Sequence, residues 1–272
     1  MPVKNATGGS ARLIARANGT RYSDDPTGEG GDYYVNFADV PADEDPITLG
    51  GTWTNNEEGT GGNAAMLTNT SMQIRQATGT GNPRICCDGG APHINYEDSI
   101  AWRPGFPGNQ RVEVTVYLAP GYTPSGNHEL EIFVGAFCRG EDDKVAIQAT
   151  AEIGGGWALA LHDGKTTAYS DPGGGWIVIY SAFVAGGTVA DGDTLVVELD
   201  RENKTCKMWQ NGSLRLSTQW ATTHDEIDAR AQATLNALGD GAGLGSIRRS
   251  GATEGAFGAR DFRVSQTLLG HG

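Results

Sequence analysis

A chain of 272 residues carrying 41 glycines and a net charge of -13 can bury one sizeable core, and it holds too many helix breakers for a mainly helical protein. No apolar run approaches the roughly 18 residues that a membrane-spanning helix needs, and the acidic balance disfavours a phosphate-backbone partner. Neither nucleic-acid binding nor membrane insertion is expected.

The charge is unevenly spread. Residues 1–22 hold Lys4, Arg12, Arg16 and Arg21 and no acid, so an arm of +4 precedes a body of -17 in a chain of net -13. Such an arm either folds back on its own acidic body or docks on an acidic neighbour. Its large aliphatics, Val3, Leu13 and Ile14, are too few to offset an ordering cost of about 1 to 2 kcal/mol per residue. It also lacks the apolar stretch of a secretory signal, so export by that route is not expected. We place the boundary near residue 30, with the arm at 1–30 and one domain at 31–272.

Beyond the arm, 22–32 is turn chemistry, and Tyr33 to Phe37 is the first credible strand. Residues 41–63 read as a long loop around Trp53, which either plugs the core or stacks on a sugar. Short strands follow at Met66 to Gln76 and Arg84 to Cys87, then a second long loop over 88–109 with Pro92, Pro104 and Pro107. Arg111 to Leu118 alternates cleanly, with Val112, Val114 and Val116 on one face. Strands at Glu129 to Cys138, Lys144 to Ile153, Trp157 to His162 and Trp176 to Phe183 are each bounded by turn residues. Thr223 to Glu226 matches a capping box, and Ile227, Ala231, Leu235 and Leu238 recur at helical spacing, predicting one helix over 224–238. Leu244 to Arg248 and Phe257 to Val264 complete the set. The class is all-β, an antiparallel β-sandwich of jelly-roll type with one short helix and an N-terminal arm.

The clearest pattern is residues 193–217, DTLVVELDRENKTCKMWQNGSLRLS. Leu195, Val197 and Leu199 alternate, a polar turn follows, Cys206 and Met208 resume the alternation, and Asn211-Gly212 supplies the positive φ of a tight hairpin. This run resembles the central meander of the concanavalin A-like lectin/glucanase superfamily, including its laminin G-like branch. The end of the chain, Gly255 to Val264, resembles that fold's closing strand. The likeness covers roughly residues 30–266 and includes lectins, glycosidases, adhesion modules and bacteriophage structural proteins, so it implies a fold rather than a function.

No catalytic set is expected. The β-glucan-cleaving members place acids in an E-x-D-x-(x)-E string, and the nearest match, Glu226 to Ala231, lacks its last Glu and falls in the predicted helix. Glu129 and Glu131 share a strand face but read as solvent-facing acids, and their spacing of about 7 Å is wider than a retaining glycosidase needs. The histidines and the cysteines Cys86, Cys87, Cys138 and Cys206 show no metal-ligand spacing. No cofactor is expected; calcium is the one ion that Asp24-Asp25, Asp163-Gly164 and Asp191-Gly192-Asp193 could suit. The resemblance implies sugar contacts through loop aromatics and Asn, for which Trp53, Trp102 and Asn211 are the candidates. The expected function is a non-catalytic virion protein, a bacteriophage capsid decoration or tail-associated subunit assembled in the host cytoplasm. It would dock on other virion subunits through Lys4, Arg12, Arg16 and Arg21, and would itself form a homo-oligomer. The alternative is a glycan-binding lectin module for host attachment, with a glycoside hydrolase or lyase third.

Overall fold

The computed structural model describes residues 12–15, 21–24, 33–37, 53–59, 72–75, 84–87, 96–122, 128–140, 143–165, 175–180, 187–219, 229–249 and 257–268. The strands are β1 (Arg12–Ala15), β2 (Arg21–Asp24), β3 (Tyr33–Asn36), β4 (Thr54–Gly59), β5 (Met72–Arg75), β6 (Arg84–Cys87), β7 (Tyr96–Arg103), β8 (Gln110–Leu118) and β9 (His128–Gly140). They continue with β10 (Asp143–Glu152), β11 (Gly156–Lys165), β12 (Gly175–Tyr180), β13 (Thr194–Asp200), β14 (Thr205–Gln210) and β15 (Ser213–Gln219). Helix α1 (Ala229–Asn236) precedes β16 (Gly241–Arg249), β17 (Phe257–Ala259) and β18 (Asp261–Ser265).

Two antiparallel sheets form the sandwich. One has seven strands in the order β12-β11-β10-β9-β16-β7-β4. The other has nine, in the order β15-β14-β13-β8-β17-β6-β5, with β18 pairing both β8 and β3. Together they make the antiparallel β-sandwich of jelly-roll type expected from the sequence. Val114 lies opposite Leu195 and Val112 opposite Val197. With Val116 and Leu199, all six have no exposed surface, and each such side chain contributes about 1.5 to 3 kcal/mol by leaving water. From the facing sheet, Leu130, Ile132 and Val134 of β9 and Ile147, Ala149 and Ala151 of β10 join the same core.

The turns obey their residues. Lys204 and Asn211 have φ of 52° and 50°, and Gly212 follows at 76°, closing the two hairpins of the meander. Asp200 accepts from the Asn203 backbone N–H at 2.9 Å, an Asx contact that seats the first turn. At the closing strand the ladder along β8 is interrupted between β17 and β18. There the Asp261 carboxylate replaces a backbone partner, accepting from Thr115 N at 2.8 Å and Thr115 Oγ1 at 3.0 Å.

One end of the sandwich is fastened by Arg201. Its guanidinium donates to the carbonyls of Gly108, Leu238 and Gly239, and its backbone N–H to Asn109 Oδ1. Burial lowers its pKa, with Asp240 acting in the opposite sense. The described helix ends at Asn236, two residues before the expected end, and the part of the expected helix before Ala229, with the capping box at 223–226, lies outside the described residues; Leu235 and Leu238 are buried in the core as expected. Two elements correct the loop readings. β4 falls inside 41–63 and β7 inside 88–109, paired to each other with Thr54 opposite Trp102. β4 is polar because it is an edge strand, where alternation is weakest. In the arm, β1 and β2 form a hairpin with Arg12 opposite Asp24 and Arg21 opposite Ala15, so residues 22–24 are strand rather than turn. Lys4 and Arg16 lie outside the described residues.

Candidate functional site

The outward face of the seven-stranded sheet is the unusual surface. Alternation on β9 sends Leu130, Ile132 and Val134 inward, so Glu129, Glu131 and Phe133 take the other face. They are not solvent-facing, as the sequence suggests: Glu129 is 8% exposed, while Glu131 and Phe133 are fully buried. On the neighbouring strand the same holds for Gln148, fully buried, and Thr150, 5% exposed.

Strand register assembles these residues into rows. Trp102 of β7 stands opposite Gly243 of β16, which stands opposite Phe133, which stands opposite Gln148. One pleat along, Gly245 lies opposite Glu131 and Glu131 opposite Thr150. Central strand β16 therefore carries buried glycine where other residues would place side chains, between Trp102 on one side and Glu131 and Phe133 on the other. The glycine at 241 is also required sterically, because a Cβ there would come within 2.8 Å of the Trp102 ring.

Polar contacts run along the rows. The Gln148 amide Nε2 donates to Glu131 Oε1 and lies 3.1 Å from Thr150 Oγ1, to which it also donates. Burying a carboxylate is costly unless hydrogen bonds satisfy it, so an acid held this way on a sheet face marks a candidate site. Trp102 is partly buried against Phe133, Ala136 and Ala146, and its indole N–H is buried with no acceptor among the described residues. Chemically the face combines a carboxylate, an amide, a hydroxyl and two aromatic surfaces, the complement of vicinal hydroxyls and an apolar C–H face.

The other sugar-contact candidates have structural duties. Trp53 is 4% exposed; its Nε1 donates to the Tyr33 hydroxyl at 2.9 Å, and its ring meets Phe262 edge-on at 5.0 Å. It is the core plug, not a sugar platform. Asn211 is exposed, but its Oδ1 accepts from Thr194 N at 2.9 Å and its Nδ2 donates to Asp193 at 2.8 Å. Both ends of that amide are committed to the hairpin.

The Asp191-Gly192-Asp193 oxygens are likewise in use. Asp191 accepts from Leu118 N at 2.8 Å, and both its carboxylate oxygens accept from Arg260 Nη2 at 2.6 Å. Asp193 accepts from Ala190 N, Gln210 Nε2 and Asn211 Nδ2. Burial pushes the Asp193 carboxyl up, but those hydrogen bonds and the Arg215 charge outweigh it and hold it below the ordinary value. Asp163 and Gly164 lie in β11 opposite Val145 and Lys144 rather than in a turn. Asp25 and the string from Glu226 to Asp228 lie outside the described residues, and among the described residues no group of three metal-ligating side chains occurs.

Several solved structures share this architecture. A variant of the carbohydrate recognition domain of Emp46p is 11% identical at a TM-score of 0.50, over 86% of this chain and 96% of that one. The β-glucanase of Bacillus licheniformis is 12% identical at a TM-score of 0.49, over 88% of this chain and 99% of that one. No family model matches the sequence, and no curated protein matches it. At these identities the likeness is one of fold.

Proposed function

We propose that this chain is a non-catalytic glycan-binding module whose sugar site is the outward face of the seven-stranded sheet. The observation that carries the reading is the buried Glu131–Gln148–Thr150 row facing Trp102 across the glycines of β16. The Glu131 carboxylate supplies the kind of acceptor that sugar hydroxyls need, and the Trp102 indole supplies an N–H donor and an aromatic face. That a solved structure of this fold is a carbohydrate recognition domain supports the assignment.

Binding of the intact protein to a panel of immobilised glycans tests it. At least one glycan should bind saturably, and Glu131→Gln and Trp102→Ala should each weaken it about tenfold, or about 1.4 kcal/mol. Retention of full affinity in both variants would remove the site from this face. Turnover of a polysaccharide, abolished by Glu131→Gln, would instead favour the hydrolase reading, since loss of a true general acid costs about 100-fold or more.

Attachment to a virus particle is the setting we propose for such a module. It is favoured by the charge of +4 on residues 1–22 against -17 on the rest of the chain; the β1–β2 hairpin runs from that basic segment to Asp24. An acidic neighbouring subunit is the partner that this charge distribution suits.

A further inference from the structure

A different set of unused polar groups lies between the sheets, where β11 faces the edge strand β15. Along β14 and β15 the register steps: Met208 lies opposite Leu216 but Trp209 opposite Leu214, leaving Arg215 as an extra residue between them. This bulge inverts the local facing. Leu214, which unbroken alternation would bury beside Leu216, is 53% exposed. Arg215 is turned inward instead, its guanidinium carbon 4.7 Å from the Trp157 ring centroid. Bulges re-aim side chains in this way and are frequent beside functional sites.

Arg215 makes no hydrogen bond to a carboxylate or carbonyl among the described residues, although its charge reaches Asp193, and its Nε is buried and unbonded. Trp157 is 1% exposed and its indole N–H is also buried without an acceptor. Gly187 packs directly on this indole, where a Cβ would overlap it. The adjoining Thr188 carbonyl accepts from Gln210 Nε2 at 3.1 Å. Gln210 is 3% exposed, and its Oε1 is a third buried atom without a partner. The Arg215 charge acts on the Asp193 carboxylate without a hydrogen bond between them, and that carboxylate takes its donors from Ala190, Gln210 and Asn211.

Two unsatisfied N–H donors, one of them on a cation, together with one unsatisfied acceptor describe a ligand with a negative acceptor group and an adjacent donor. We infer that this edge of the sandwich is a subsite for a hydroxycarboxylate, of the kind a uronate residue presents. The carboxylate would accept from Arg215 and from the Trp157 N–H, and a neighbouring hydroxyl would donate to Gln210 Oε1. Arg215 is partly exposed, whereas Trp157 and Gln210 are buried. The inference does not rest on the outward sheet face, which lies on the other side of the seven-stranded sheet.

Titrating the full chain with sodium D-glucuronate, D-glucose and sodium acetate, read by indole fluorescence and calorimetry, tests this. Glucuronate should bind saturably, with glucose and acetate each at least tenfold weaker, because one lacks the carboxylate and the other the hydroxyl. Arg215→Met should weaken glucuronate at least tenfold, Arg215→Lys should fall between, and Glu113→Gln, a carboxylate outside both sites, should leave it unchanged. Failure here is told from failure of the glycan reading above because the panel result depends on Glu131 and Trp102, and this titration on Arg215. Thermal melting checks that Arg215→Met is folded; if it is not, the Arg215→Lys variant and the ligand contrast decide. The inference is overturned by absence of a saturable glucuronate response, by equal binding of folded Arg215→Met, or by a crystal soaked in glucuronate in which water alone satisfies the three atoms.

Discussion

Strands β8 and β9 have nearly the same sequence rhythm and opposite surroundings. On β8, Val112, Val114 and Val116 enter the core, while Arg111, Glu113 and Thr115 on the other face remain half-buried. There Arg111 bonds the half-buried Glu113 at 2.8 Å and approaches the buried Glu198 at 3.4 Å, so a cation holds the carboxylates of this face. On β9 the inward Leu130, Ile132 and Val134 are matched by an outward Glu129, Glu131 and Phe133 that are also buried. Two strands with one pattern thus support two roles. The first is a sandwich wall; the second is a wall whose far side carries a held carboxylate.

The largest effect that sharpens this contrast is in the shared core. Truncating Val197, which faces Val112 across the β13–β8 ladder, to Ala should cost about 2 to 4 kcal/mol through lost burial and a residual cavity. Urea unfolding measures it. A loss below about 0.5 kcal/mol, the usual size at a surface site, would show that the two sheets do not meet there.

Next in size is the difference between the two outward carboxylates. Glu113→Gln on β8 should leave glycan affinity within about twofold, whereas Glu131→Gln on β9 should weaken it about tenfold. Equal behaviour in a calorimetric titration would erase the distinction between the faces.

What the sequence could reveal follows from the same pair. Period-two alternation identifies which residues face the shared core, so Val112 to Val116 and Leu195 to Leu199 were legible, as were the Asn211-Gly212 turn and the Asp261-bearing closing strand. Alternation says nothing of what lies beyond the second face, so Glu129 and Glu131 read as solvated acids. Strand β4, with the sequence TNNEEG, carries no apolar rhythm because its pairing to β7 is made by backbone groups. The β15 bulge is also silent in sequence: Leu214, Arg215 and Leu216 look like regular alternation, and only the register shows Arg215 turned inward. Trp102 was singled out as an aromatic, but its row partners Gly243, Phe133 and Gln148 come from strands distant in the chain.

A smaller effect concerns pH. The folded Asp193 carboxyl sits below its ordinary value, so the folded state favours the ionised form. Its contribution is present above the unfolded pKa of about 3.9 and is lost as pH falls through the lower folded value. Asp193→Asn should therefore flatten the decline in melting temperature on the acid side of about pH 4, where the unfolded carboxylate begins to protonate. An acid limb as steep as that of the parent protein would mean that this carboxylate's hydrogen bonds do not favour the charged form.

The smallest expected effect on stability is removal of the arm. β1 and β2 pair with each other, and a two-stranded hairpin alone is marginal in water, so its loss should cost the sandwich little. Deleting residues 2–21 should shift unfolding by no more than about 0.5 kcal/mol, the range of ordinary surface changes. Association should respond far more strongly. If Lys4, Arg12, Arg16 and Arg21 dock on an acidic neighbour, self-association of the intact chain should weaken between about 0.05 and 0.5 M salt as the screening length contracts. The deleted form should then sediment as a monomer at either salt concentration. Unfolding of the shortened chain would assign the arm to the core, and salt-independent association that survives the deletion would leave the basic residues without a docking role.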